Sequence, residues 1–175
     1  MKNMSRILLS ITILFCLTAC KKKDEESLLP EASHSGANTL GFLLNGQAES
    51  TSGKPDNVFN WGTKYYNWYD TTLEIGGVPR NWPRFNLSIR FPWNRTTGVY
   101  PLTFKYPCRA TYMNYPDGST IPTGTNQYTN DDQHTGQVTI TYWDGYILAG
   151  TFEMNLVNDS GEVVHITSGR FDIGN

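Results

Sequence analysis

The feature that most constrains the fold is a strict alternation of apolar and polar residues in short runs. In the run 84–91, each polar residue is followed by an apolar one, and the apolar set is Phe85, Leu87, Ile89 and Phe91. Gly, Pro, Asn and Asp interrupt the chain about every 8–12 residues, as in β-sandwiches and barrels. No amphipathic helical stretch of useful length is present in the sequence. We therefore predict an all-β fold, either an antiparallel β-sandwich or an incomplete β-barrel.

A second run upstream supplies a partner for the run 84–91. One face of this upstream run carries Tyr69, Leu73 and Ile75, and the other carries Tyr66, Trp68, Asp70, Thr72 and Glu74. We predict that the two runs pair antiparallel through a loop at residues 76–84. That pairing would place Asp70 or Trp68 near Arg90 on the outer face of the sheet.

The C-terminal part of the chain predicts a three-stranded meander. Ile140 and Tyr142 alternate before Asp144–Gly145, and Leu148 begins a second alternating run. A two-residue turn would send Leu148 to the wrong face, since a slip of one residue reverses every side chain. We therefore predict a three-residue loop with a left-handed Gly145, which sets Ile140 opposite Leu148.

The second turn of the meander is predicted at residues 159–161, where it sets Leu156 opposite Val164. The apolar parity then changes before Phe171. A β-bulge at Ser168–Gly169 accounts for this change, because a bulge inserts one extra residue into a strand.

The first twenty residues have the pattern of a secretory signal. Lys2 and Arg6 precede an apolar run that is shorter than the roughly 20 residues needed to span a bilayer. The sequence Leu17–Cys20 resembles the lipobox of bacterial lipoproteins, in which the signal peptide is cleaved just before the cysteine. The resemblance implies that residues 1–19 are removed and that acyl chains on Cys20 attach the chain to the membrane.

Residues 20–37 are predicted to be the acylated cysteine and a flexible tether, followed by a single β domain over residues 38–175. A charged run at 21–26 and small polar residues after it are typical of an unfolded linker. The lysines followed by acidic residues also resemble the export signal that sends lipoproteins of Bacteroidota-type bacteria to the cell surface. We expect a lipid-anchored outer-membrane protein exposed at the cell surface, with the periplasmic face as the alternative.

Two stretches at the ends of the domain carry further motifs. The first runs from Leu29 to Gly46 and contains Leu-Pro-Glu-Ala and Gly-Ala-Asn-Thr; the second runs from Gly150 to Ile173 and contains Ile-Thr-Ser-Gly-Arg-Phe-Asp-Ile. Together they resemble a family of short Bacteroidota lipoproteins that share a domain of unknown function. The resemblance implies a small β-rich surface or periplasmic lipoprotein, and it brings no activity with it.

The sequence contains no familiar catalytic motif. His-Glu-x-x-His, Gly-x-Ser-x-Gly and a phosphate-binding glycine loop do not occur. Asp131, Asp132 and His134 are interpreted as a solvated loop. His165 is predicted to face solvent, and Cys108 is predicted to be a buried, inert thiol. We expect no catalytic residue, no metal site and no cofactor.

Charge excludes one class of partner. The formal net charge is −2 and no basic stripe is present, so nothing would neutralise the phosphates of a nucleic acid. We expect a monomer with no nucleic-acid partner. Arg170 and Asp172 are predicted to form a structural ion pair on the outer face of the last strand.

Aromatic side chains are the candidates for ligand binding. The chain has 5 Trp, 10 Tyr and 8 Phe, and flat rings with polar edges stack on sugars and anchor protein partners. The candidate ligand-binding residues are Tyr66, Trp68, Trp82 and Trp93.

Three functions are consistent with the sequence. The first is a lipid-anchored lipoprotein whose β domain binds an envelope protein or another partner without catalysis. The second is a glycan-binding accessory lipoprotein that uses exposed aromatic residues. The third is a carrier of a small hydrophobic ligand, or a hydrolase, which requires a hollow interior or a clustered catalytic site.

Overall fold

A computed structural model describes residues 24–52, 65–69, 72–77, 85–115 and 126–174, with the backbone alone described at 65–69. It contains a short 3-10 helix at Glu25–Leu28 and eleven strands. None of the helical turns in this described part has the length and hydropathy of a membrane span. The strands are β1 (Thr39–Leu44), β2 (Gln47–Ser52), β3 (Tyr65–Tyr69), β4 (Thr72–Gly77), β5 (Phe85–Pro92), β6 (Gly98–Leu102), β7 (Arg109–Asn114), β8 (Gln127–Thr129), β9 (Gly136–Trp143), β10 (Ile147–Val157) and β11 (Val163–Gly174).

The strands form one antiparallel sheet that curls into a half-barrel, which confirms the predicted all-β class. The main order is β2-β1-β11-β10-β8-β7-β5-β4-β3. The sheet branches at β10, because most of β10 pairs with β9 while its last residue, Val157, pairs with Thr129 of β8. Strand β9 continues the branch to β6.

The apolar residues of β5 face a filled core, as their alternation predicts. Phe85, Leu87, Ile89 and Phe91 are fully buried, and the residues between them are partly exposed. The ring of Phe85 packs on Phe42 at a centroid distance of 5.2 Å. Such close ring packing favours a filled core over a hollow interior that carries a ligand.

The upstream partner of β5 differs from the prediction. The run predicted as one strand is divided into β3 and β4, which pair with Tyr69 opposite Thr72. Strand β4 pairs antiparallel with β5, as predicted, but Glu74 lies opposite Arg90 and Trp68 pairs with Leu73; Asp70 lies outside the described residues. The apolar pattern does not show where a strand reverses, and a two-residue turn shifts the alternation by one residue relative to a continuous strand.

The second half of the C-terminal meander is confirmed. Leu156 pairs with Val164 across the predicted turn. The pairing of β10 with β11 then shifts by one residue near Ser168, which has a positive φ of 51°. The predicted bulge at Ser168–Gly169 is therefore present, and it keeps Phe171 on the core face.

The predicted register of the first meander loop is wrong. Trp143 pairs with Leu148, and Ile140 pairs with Gly150, not with Leu148. A bulge near Thr141 lies between these pairs. The Asp144 side chain stabilises the loop, because its Oδ1 accepts hydrogen bonds from the N–H groups of Tyr146 and Ile147, each at 2.8 Å. The parity rule fixes the face of each residue, but it cannot distinguish registers that differ by two residues.

The N-terminal segment, residues 24–38, differs from the predicted flexible tether. Leu29 is buried, and the Pro30 ring packs so close to Gly41 that a Cβ on Gly41 would lie 2.5 Å from it. The Glu25 carboxylate accepts a hydrogen bond from the Ala48 N–H of β2 at 3.1 Å. Residues 24–37 therefore belong to the folded domain, which begins before the predicted boundary at residue 38.

The predicted ion pair between Arg170 and Asp172 is absent. Asp172 is buried beneath the N-terminal segment, where it accepts hydrogen bonds from Ser33, Ser35 and Gly36. Arg170 instead pairs with Glu26 at 3.3 Å. The covering segment removes Asp172 from the solvent-facing surface, and this contact spans more than 130 residues of sequence, so no local pattern reveals it.

Candidate functional site

One of the predicted ligand-binding residues, Trp93, is part of the core. Its side chain is 5% exposed and packs edge-on against Trp143 at 5.1 Å. Its Nε1–H donates to the Thr96 carbonyl oxygen at 2.9 Å. The prediction that Trp93 binds a ligand at the surface is wrong, because a buried ring with a satisfied N–H has a packing role.

Of the other predicted residues, the structure describes only the backbone of Tyr66 and Trp68. Tyr66 and Trp68 pair in register with Ile75 and Leu73, which are buried; the prediction grouped them with Glu74. The side chains of Tyr66 and Trp68, and all of Trp82 and Cys20, lie outside the described residues.

Two exposed aromatic residues of the described chain lie elsewhere, in the connection between β6 and β7. Tyr106 is 94% exposed and Phe104 is 58% exposed. The sequence analysis does not include either residue among the candidates, because both lie outside any alternating run. Two rings in a short connection that contains Pro107 are the signal that identifies them, since such rings have no strand face on which to be buried.

Asn130 holds this connection against the sheet. Its buried side chain accepts a hydrogen bond from the Ala110 N–H at 2.8 Å and donates to the Thr103 carbonyl oxygen at 3.1 Å. Within the connection, the Cys108 N–H donates to the Lys105 carbonyl oxygen at 2.9 Å. Both ends of the connection are thereby fixed, so Phe104 and Tyr106 project from a defined position.

A groove runs from these rings across the outer face of β5, β7 and β8. It consists of two depressions of about 410 and 330 Å³ that share Arg90 and Arg109. Tyr106 and Phe104 line the first depression. The polar side chains that line the groove are those of Asn86, Ser88, Thr111, Gln127 and Thr129. We call it the β5–β7–β8 groove.

Arg90 lies on the floor of the groove in a fixed orientation. Its Nη2 lies 2.7 Å from Glu74 Oε2, and Ser88 Oγ donates to Glu74 Oε1 at 2.7 Å. Glu74 is mostly buried, with 13% of its side chain exposed. Burial strengthens this pair compared with an exposed one, so the guanidinium is held in place.

The groove suits binding better than catalysis. None of the described residues that line it carries a carboxylate or an imidazole, and such groups supply most general acid–base catalysis. The Cys108 thiol is half-buried, not buried as predicted, and it contacts the Pro101 carbonyl oxygen at 3.8 Å. Flat rings beside amide and hydroxyl groups are the combination that orients a polar, ring-shaped ligand.

The acidic loop before β9 is held by its own hydrogen bonds. Asp131 Oδ1 accepts from the His134 N–H at 2.6 Å and lies 2.8 Å from His134 Nδ1. The hydrogen bond from the His134 backbone, with smaller contributions from the Gln133 N–H and the imidazole, lowers the pKa of Asp131.

His165 faces solvent, as predicted. No cluster of metal-ligating side chains occurs among the residues that the structure describes.

A third depression lies on the outer face of β9, β10 and β11. It measures about 350 Å³ and is bordered by Glu26 and Ala32 of the N-terminal segment, with Glu153 and Arg170 from the sheet. Its single aromatic lining residue, Phe152, is buried. The β5–β7–β8 groove is the better candidate site because it presents exposed rings.

Comparisons with known proteins give no relative for this chain. No protein-family model matches it, and neither a curated protein nor a solved structure shows significant similarity. The resemblance to the Bacteroidota lipoprotein family therefore stays a prediction.

Proposed function

We propose that this chain is a lipid-anchored envelope lipoprotein whose β domain binds glycans, without catalysis, in the β5–β7–β8 groove. The observation that supports glycan binding is the position of Tyr106, 94% exposed, at one end of a groove that also contains hydroxyl, amide and guanidinium groups. Sugars offer apolar ring faces for stacking and hydroxyl edges for hydrogen bonds. A ring flanked by amide, hydroxyl and guanidinium groups matches both.

The filled core favours this proposal over the carrier. The core-facing residues of the described strands are buried against one another, and Phe42, Phe85 and Tyr112 form a cluster of ring contacts at 5.2–6.3 Å. A carrier of hydrophobic ligands needs interior volume, and close packing of this kind removes it.

The N-terminal segment supports a short connection to the membrane. If Cys20 is the acylated residue, four residue steps separate it from Asp24, where the described domain begins, and a chain of this length spans at most about 14 Å. Strand β1, which contacts the N-terminal helix, lies four strands from β7 in the sheet order, a distance of roughly 19 Å along the sheet. The groove would therefore lie on a different part of the sheet from the strands next to the anchor.

Glycan binding is tested on an array of bacterial and host polysaccharides with the mature protein and two tyrosine variants. Tyr106→Ala should weaken binding roughly thirtyfold, since truncation of an aromatic anchor costs on the order of 2 kcal/mol. Tyr146→Ala is the matched control, because Tyr146 is 72% exposed in the β9–β10 loop, outside the groove. Glycan binding that survives Tyr106→Ala would reject the groove as the binding site, and no glycan binding at all would reject the glycan assignment; capture of an envelope protein instead would favour the other binding hypothesis.

The anchor is tested by the intact mass of the protein isolated from membranes. We expect a chain that begins at Cys20 and carries acyl chains, and we expect Cys20→Ala to prevent this processing and the membrane attachment that depends on it. Retained leader residues, or a free thiol on Cys20, would contradict the proposal for the anchor while leaving the groove unaffected.

A further inference from the structure

Two arginines face each other across the centre of the groove. Arg90 of β5 and Arg109 of β7 are direct partners in the antiparallel register, and both line the two depressions of the groove. Side chains of directly opposed residues lie on the same face of a sheet, and like charges at such positions destabilise it. The Glu74 carboxylate offsets this repulsion at Arg90 only, so the cost of the pair falls on Arg109.

The two arginines have different surroundings. The Arg90 guanidinium contacts the mostly buried Glu74 carboxylate at 2.7 Å. Arg109 is exposed, and it forms no ion pair with any residue that the structure describes. In the described part of the chain, no Asp or Glu lines the groove, although the chain as a whole has a net charge of −2. A positive site is thus maintained on an acidic protein.

We propose that the ligand of the groove is an anionic glycan whose carboxylate or sulfate group binds the guanidinium of Arg109. This inference rests on the proposed glycan-binding function and names its substrate class. The planar guanidinium donates two parallel hydrogen bonds to the oxygens of either anion. One sugar of the same chain would stack on Tyr106, which lines the same depression as Arg109.

An anion at this position also resolves the like-charge contact. In the free protein, Arg109 faces the cation of Arg90 across the strand pair. A bound carboxylate or sulfate places a negative charge next to Arg109 and offsets this repulsion. Removing Arg109 should therefore weaken ligand binding while the stability of the free fold is unchanged or higher, which is opposite to the effect expected of a structural arginine.

The test uses charged probes with matched neutral counterparts. Hexagalacturonate, which carries a carboxylate on each sugar, is compared with its methyl ester, and dextran sulfate is compared with dextran. Binding of the mature protein is measured by titration calorimetry at about 0.01 M and 0.1 M salt, between which the screening length falls from about 30 to 10 Å. The variants are Arg109→Gln and the control Arg95→Gln, an exposed position outside the groove.

We expect at least one anionic probe to bind about tenfold or more tightly than its neutral counterpart, with weaker binding at the higher salt concentration. Arg109→Gln should abolish this difference, and Arg95→Gln should preserve it. Dependence on Arg109 with hexagalacturonate alone identifies a carboxylate ligand, and the same dependence with dextran sulfate alone identifies a sulfate ligand. The thermal midpoint of the free Arg109→Gln variant should be equal to or above that of the wild type.

Equal binding of charged and neutral probes would overturn the inference, as would equal losses in the Arg109 and Arg95 variants. A midpoint several degrees lower in free Arg109→Gln would also overturn it, because Arg109 would then have a structural role. The glycan array separates these failures from failure of the proposed function. If Tyr106-dependent binding is found on neutral glycans only, glycan binding stands and the anionic ligand is rejected; if no such binding occurs, the proposed function itself fails.

Discussion

A single carboxylate joins the two ends of the described chain. Asp172 is 1% exposed and accepts hydrogen bonds from the Ser35 N–H at 2.9 Å and the Gly36 N–H at 2.7 Å, together with the Ser33 hydroxyl. Burial on its own raises the pKa of Asp172, but the hydrogen bonds from Ser33, Ser35, Ala37 and Gly36 outweigh it, and the net pKa is lowered. The ionised form is therefore the one that the fold stabilises.

This lowered pKa predicts a specific acid sensitivity. Because the pKa of Asp172 is lower in the folded than in the unfolded chain, its contribution to stability is present above the unfolded value of about 3.9 and is lost as the pH falls through the folded value. Asp172→Asn should lower the free energy of unfolding at pH 7 by about 2–3 kcal/mol, since an amide cannot replace a carboxylate that accepts several hydrogen bonds.

The measurement is denaturant unfolding of wild type and variant from pH 7 to pH 2. The difference between the two proteins should narrow as the pH falls below about 4, where the unfolded chain takes up a proton on Asp172, and it should be smallest once the pH is below the lowered pKa of the folded carboxylate. The control is Asp159→Asn, at an exposed turn position, which should change stability little at any pH. A difference in the free energy of unfolding that is constant across the whole pH range would contradict the assignment of the acid sensitivity to the Asp172 carboxylate.

At the scale of elements, the β-bulge in β11 shifts the pairing of this strand with both of its neighbours, β10 and β1. The register shifts by one residue against β10, between Phe152 and Met154, and against β1, between Gly41 and Leu43. A Cβ on Gly169 would lie 2.5 Å from both the carbonyl oxygen and a ring carbon of Phe152. The bulge therefore requires a glycine at this position because of close backbone approach.

Gly169→Ala should lower the free energy of unfolding by about 1–3 kcal/mol, since the backbone oxygen of Phe152 cannot move without disturbing the β10–β11 ladder. Chemical denaturation monitored by tryptophan fluorescence measures the change. Thr167→Ala, an exposed residue of the same strand, should stay within roughly 0.5 kcal/mol of wild type. Equal stability of the Gly169 variant and the wild type would show that β11 can shift to admit a Cβ.

The meander shows how far the pattern of an element predicts its pairing. The bulge at Ser168–Gly169 is visible in the sequence because it changes which residues face the core. The register of Ile140 against Gly150 is not visible, because a two-residue shift leaves every side chain on its predicted face. In that hairpin the hydrogen bonds of Asp144 to the loop backbone help to set the loop length, and the apolar pattern has no influence on it.

At the scale of the whole molecule, the N-terminal segment forms part of the domain. It covers Asp172, buries Leu29 and places Glu26 beside Arg170. His34 stacks on Tyr142 of β9 with a centroid distance of 4.7 Å. These contacts are spread over β1, β2, β9 and β11, so the segment connects strands that are distant along the chain.

A chain that begins at Asn38 should therefore be less stable than one that begins at Asp24. We expect a loss of several kcal/mol, because Asp172 loses all its partners from the segment and the surface that covers Leu29 becomes exposed. Thermal unfolding of the two chains and of the complete mature protein measures this difference. The chain from Asp24 is the matched control and should match the mature protein; equal midpoints for all three would restore the domain boundary at residue 38 that the sequence suggests.

The sequence by itself determined the all-β class, the core face of β5 and the bulge of β11. Each of these depends on side-chain parity, which follows from the two-residue repeat of a strand and needs no knowledge of distant contacts. The tertiary structure alone decided that Trp93 is buried, that residues 24–37 are part of the domain and that Arg109 lies opposite Arg90. These features arise where strands distant in sequence become neighbours, and short-range hydrophobic periodicity carries no information about which strands those are.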